Sequence, residues 1–92
     1  MKNATDRLPG EDLVRLGVRD LAEGRETAES LLVSIGAGRL RSAGMEVPAG
    51  LPDPEHRLYR LLARAHGDDA HSRYNALIRR LVSFERALEC AS

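Results

Sequence analysis

Ser30-Leu31-Leu32-Val33-Ser34-Ile35-Gly36-Ala37-Gly38 carries no charge, in a chain of which 30% is Asp, Glu, Lys or Arg. Wound as a helix, the segment places Ala28, Leu31 and Ile35 on one face and Val33, Ala37 and Leu40 on another. A helix that is apolar nearly all round is a buried one, either central in its own fold or covered by a second subunit.

Its ends are marked. Thr27 is an N-cap residue immediately before the apolar run, and Gly44 closes the segment with Leu40 and Met45 placed for the hydrophobic contact that accompanies a glycine C-cap. Upstream, Gly10-Glu11-Asp12 predicts a helix start with acids against the positive end of the dipole, and Gly24 predicts its stop. Between them Leu13, Val14, Gly17, Val18 and Leu21 fall on one side and Asp12, Arg15, Arg19 and Glu23 opposite. The connection to Thr27 is short enough that the first two helices must be antiparallel neighbours.

Downstream, Pro48, Gly50 and Pro52 deny helix and strand to the stretch from Met45 to Asp53, which reads as a crossover with Val47 and Leu51 as its apolar anchors. Asp53-Pro54-Glu55 then predicts an N-cap, a proline in the first turn and an acid beside it. A third helix follows, with Leu58, Leu61, Leu62 and Ala65 inward and Arg57, Arg60 and Arg64 outward. Gly67 is read as its stop and Asp68 or Asp69 as the cap of a fourth helix, in which Tyr74, Leu77, Leu81, Phe84 and Leu88 recur at spacings of three and four. The expected architecture is all-α: a small four-helix domain of two antiparallel hairpins, with the second and fourth helices at its centre. Residues 1–10 are expected as a disordered tail and 11–92 as one domain.

Composition agrees with that class and narrows function. With 92 residues the chain has room for one domain with a thin core. Leu and Ala outnumber β-branched and aromatic residues, a helical balance. The formal net charge is zero, which gives no overall electrostatic drive toward nucleic acid or an anionic membrane. Charge is nevertheless segregated, acids predominating from Glu11 to Glu29 and arginines from Arg57 to Arg86. Lys2 is the lone lysine; guanidinium groups suit bidentate phosphate or carboxylate recognition, although a GC-rich coding bias yields the same excess. Cys90 is the single cysteine, so no intramolecular disulfide forms. The first residues lack the apolar run of a signal peptide and no segment approaches a membrane span, so a cytoplasmic protein with no membrane partner is expected.

Several constellations bear on chemistry. Ile35-Gly36-Ala37-Gly38-Arg39-Leu40-Arg41 has glycines beside arginines, as a phosphate cradle would, but no strand precedes it and neither P-loop nor dinucleotide spacing is present. Close packing of another backbone is the expected reason for the glycines. His66-Gly67-Asp68-Asp69-Ala70-His71 collects zinc-type ligands, His66, Asp68, Asp69 and His71, around one turn. Glu85 projects among Tyr74, Ile78, Leu81 and Leu88 on the apolar side of the fourth helix and needs a partner there, either an acid-base neighbour such as His71 or an arginine of another helix or subunit. Arg57, Arg60, Arg64, Arg73, Arg79, Arg80 and Arg86 are the candidates for a phosphate track, with Tyr59, Tyr74 and Phe84 on or beside buried faces and so not offered as base-stacking platforms.

Arg60 and His66 are separated by five residues, a spacing similar to that of HEPN-type ribonucleases, in which such a pair on a helix is catalytic. The resemblance is confined to these two positions. Leu61 stands where that family commonly has a polar residue, and the two side chains fall on different faces. The resemblance implies ribonuclease chemistry at Arg60 and His66; independently of it, His71 and Glu85 are acid-base candidates from their own placement.

From these readings the expected function is a non-enzymatic protein-protein interaction module that forms a homodimer or docks on a protein partner, with no cofactor. Nucleic-acid binding or regulation through the C-terminal arginines is the alternative, and a HEPN-like ribonuclease or metal-dependent hydrolase a weaker one.

Overall fold

A computed structural model of the chain describes residues 8–91. The domain is all-α, with three helices and a long last one, and there is no strand among the described residues. Helix α1 spans Glu11–Ala22 and α2 Ala28–Ser42. The third runs helically for 38 residues, through α3 (Pro54–His66), one 3-10 turn (Gly67–Asp69) and α4 (Ala70–Ala91).

The expected four-helix arrangement of two loop-joined hairpins is therefore corrected. Gly67 opens no loop, and α3 and α4 are limbs of one helical stretch. A straight helix of that length would extend about 57 Å, whereas the longest dimension of the molecule is 41 Å. The stretch bends at Gly67, where φ is 58° and ψ −121°, a conformation open to glycine and costly to other residues. Across the bend the Tyr59 ring lies 5.7 Å from that of Tyr74 and 6.4 Å from that of His71. Asp68 and Asp69 sit in the 3-10 turn, where His66 is the N-cap and makes no side-chain cap hydrogen bond.

The α1–α2 hairpin forms as expected, and both of its glycine stops are Schellman motifs. Arg25 N–H reaches Asp20 C=O and Gly24 N–H reaches Leu21 C=O; Met45 N–H and Gly44 N–H repeat the pattern on Leu40 and Arg41. Thr27 caps α2 in a reciprocal box with Ser30. The Thr27 hydroxyl also donates 2.7 Å to Oδ2 of Asp20, a buried carboxylate of α1, so the cap ties the two helices together. Gly17 sets their separation: a Cβ there would lie 2.4 Å from Glu29 C=O and from Val33 Cγ2.

Helix α2 alone is the centre. Leu31, Leu32, Val33 and Leu40 are fully enclosed by contacts from α1, α3 and α4. Most of its apolar circumference is covered by its own chain, with Ile35 half-buried and Gly38 exposed. Helix α4 lies to one side, with only Ala70, Leu81, Phe84 and Glu85 buried. Gly36 permits the α2–α4 approach, since a Cβ would meet Leu81 and Glu85, whereas Gly38 faces open space. The close-packing reading thus holds for one of the two glycines.

The crossover is pinned through Ser34, which accepts from Leu51 N–H and donates to Ser30 C=O. Asp53 occupies the N-cap position of α3 but makes no side-chain cap bond and has φ 48°. Pro54 disfavours the right-handed region for the residue before it, and an aspartate tolerates the left-handed alternative. Leu8 to Gly10, read as tail, belong to the domain. Leu8 packs on the core, its N–H donates to Glu11 Oε1, and Gly10 lies so close to Arg80 C=O that a Cβ would stand 2.8 Å away. The expectation for residues 1–7 falls outside the described residues. No helix among the described residues is long and apolar enough to cross a membrane.

Candidate functional site

The arginines of the long helical stretch divide into separate sets. Arg57, Arg60 and Arg64 project from the outward side of α3 at spacings of three and four. With Leu61 and with Glu26 of the α1–α2 connection they line a cleft of about 280 Å³. Arg57 Nε lies 3.6 Å from Glu26 Oε2, and its Nη1 donates to Pro52 C=O at 3.4 Å. Arg60 Nη2 lies 3.3 Å from His56 Nε2. A ring nitrogen that accepts from guanidinium leaves its proton on Nδ1, and that atom is 3.7 Å from Asp53 Oδ2.

Arg79 and Arg80 line a different cavity, beside Pro9, Gly10, Ala76 and Ser83, where Arg80 is 3.6 Å from Asp12. Arg73 is exposed on α4, and Arg86 acts electrostatically on Glu89. Of the seven arginines that were candidates for a phosphate track, Arg57, Arg60 and Arg64 thus line one cleft and Arg79 and Arg80 another. Tyr59, expected beside a buried face, is 40% exposed and rests on Tyr74.

Glu85 finds its partner on α2. Arg39 donates from Nη1 to Glu85 Oε1 at 3.2 Å and from Nε and Nη2 to the two oxygens of Glu89 at 2.7 and 3.0 Å. Burial pushes the Glu85 carboxyl above the usual carboxylate range; the Arg39 charge opposes this, and Glu89 adds to it. The hydrogen bonds from Arg39 hold Glu89 below that range, and the Arg39 guanidinium is raised chiefly by its bond to Glu89. The cluster locks α2 to α4 across Gly36. His71 takes no part in it, standing fourteen residues up the same helix, about 21 Å away, where it meets Tyr59 and, at 3.2 Å, the Asn75 amide.

The remaining candidates are not gathered. Arg60 engages His56, and His66 lies about 120° around the helix from it, so the pair with ribonuclease-like spacing is not brought together. His66, Asp68, Asp69 and His71 are all exposed, and among the described residues no three His, Cys, Asp or Glu side chains group as metal ligands. Two residues that matter had not been singled out, Glu26 as the acidic wall of the cleft and Asp20 as the buried acceptor of the α2 cap. Asp20 was legible, because it continues the Leu13–Gly17 face. Glu26 was not, because only the packing of α3 on the α1–α2 connection brings it near Arg57.

Comparison of the chain with protein-family models, with curated proteins and with solved structures gives no match.

Proposed function

We propose that the protein is a non-enzymatic interaction module that self-associates through one edge of α4. The observation that carries this reading is the composition of that edge. At 100° per residue His71, Ile78, Val82 and Glu89 fall within about 40° of one another. Ile78 and Val82, one turn apart, are both half-buried, and Ile78 packs on the rim of the core cluster. The edge is self-complementary: in an antiparallel pair about a two-fold axis, Ile78 faces Val82 of the second copy and His71 faces Glu89. The apolar pair is central, the polar pair peripheral, and Arg39 holds Glu89 in place from α2.

Light scattering on a size-exclusion column, across a concentration series to high micromolar, tests the reading. A dimer that Val82→Glu converts to monomer, with an unchanged helical circular-dichroism spectrum, is expected. A wild-type monomer throughout the series refutes it.

A further inference from the structure

We propose that the cleft between α3 and the α1–α2 connection is a receptor for a single phosphoryl group, of the phosphomonoester class, held by Arg57, Arg60 and Arg64. The inference is independent of the α4 edge.

Four other arginines of the domain are matched to acceptors. Arg39 serves Glu89 and Glu85, Arg25 serves Asp20 and Glu23, Arg15 serves Glu11, and Arg41 donates to Val47 and Pro48 carbonyls. In the cleft three guanidinium groups face one carboxylate, leaving a net formal charge of +2 among the lining residues. The match is poor. Glu26 stands beyond hydrogen-bond distance of Arg57 Nε, the Arg57 Nη1 reaches only the Pro52 carbonyl at 3.4 Å, Arg60 meets only an imidazole nitrogen, and Arg64 makes no hydrogen bond or ion pair among the described residues.

Fork-shaped donors left under-matched around a concave space are a site for an anion with several oxygens. A carboxylate is satisfied by one arginine, whereas a phosphomonoester dianion offers three terminal oxygens and up to two charges to three. The volume is below that of pockets that enclose drug-sized ligands, and suits a phosphoryl group with a small part of what carries it. Leu61 supplies an apolar floor. A polyanion fits less well, because Glu26 closes one wall and the next arginines, Arg79 and Arg80, belong to another cavity. Glu26 acts as an internal stand-in for the ligand, to be displaced from Arg57 when the phosphoryl group enters.

The test is a titration of the full chain followed by NMR, reading backbone amides of α3 and arginine Nε–H signals. The probes are inorganic phosphate, a nucleoside 5′-monophosphate and a single-stranded oligonucleotide. Saturable shifts confined to Arg57, Arg60, Arg64 and the Arg25–Thr27 connection are expected with phosphate, the monophosphate or both; stronger binding of the monophosphate would assign part of the affinity to its carrier. Arg60→Gln and Arg64→Gln, both at exposed positions, should each weaken binding by about tenfold or more through loss of a charge-assisted hydrogen bond, and Glu26→Gln should strengthen it. Absence of shifts with both small probes overturns the proposal, as does binding unaffected by R60Q and R64Q. Oligonucleotide binding that survives R64Q but is lost on replacing Arg79 and Arg80 overturns it in favour of a nucleic-acid surface on α4.

Discussion

Replacing glycine by alanine at three positions should change stability with opposite signs, although all three glycines are helical. At Gly17 the new methyl would stand 2.4 Å from the backbone carbonyl of Glu29 and from Val33 Cγ2. The carbonyl belongs to α2, so relief requires α1 and α2 to separate along their whole contact. Overpacking of this kind costs about 3 kcal/mol at the upper end of its usual range, and the helix preference of alanine returns about 1 kcal/mol, leaving a net loss of roughly 2 kcal/mol. In a domain of this size that is a fall in Tm of roughly 8–16 °C. At Gly38 no heavy atom lies within 4 Å of the added carbon; there only the propensity term acts, and a gain of about 0.5–1 kcal/mol is expected. Gly36→Ala falls between, because the nearest atom, 2.6 Å away, is a carboxylate oxygen of Glu85 that can swing aside, while the Leu81 methyls at 3.0 and 3.1 Å cannot retreat far. Urea and thermal unfolding of the three variants, followed at 222 nm, give the order directly. A G17A protein as stable as wild type, or a G38A protein that loses stability, would refute the packing assigned to α1–α2 and to the free side of α2.

Thr27→Ala removes the α2 cap and strips the buried Asp20 carboxylate of its 2.7 Å donor; the two losses together should cost about 2 kcal/mol in chemical denaturation, and Thr27→Ser should restore most of it. The carboxylates of the Arg39 cluster should respond oppositely to pH. Glu85, raised by burial, holds its proton more tightly folded than unfolded, so its contribution falls as pH rises from the ordinary carboxylate range to its folded pKa; Glu85→Gln should be more stable than wild type near neutrality and lose that advantage below about pH 4. Glu89, lowered by Arg39, contributes stability above the ordinary range that is lost as pH falls through its folded pKa, so Glu89→Gln should be less stable than wild type near neutrality and converge with it in acid. Thermal unfolding across that interval checks both signs, and parallel curves for the two variants would contradict the assigned geometry.

The features legible along the chain were local ones. The apolar circumference of Ser30–Gly38, the glycine stops at Gly24 and Gly44, the Thr27 cap and the proline crossover all act within a few residues, and each forms where its chemistry placed it. The i, i+3, i+7 arginines of α3 were likewise legible as one outward row. What those local features meet was set by packing. The sequence of α2 says that it is wrapped but not by what, because burial of apolar area is non-directional, and the wrapping came from α1, α3 and α4 of the same chain. Gly67 was legible as a break, but whether it opens a loop or bends a continuous helix depends on contacts made at a distance, Tyr59 with Tyr74 and His71. The partner of Glu85 lies 46 residues away on α2, and the acidic wall of the arginine cleft comes from the α1–α2 connection. Charges choose partners through space rather than along the chain, so the cleft and the Arg39 cluster exist only once α2 has been enclosed.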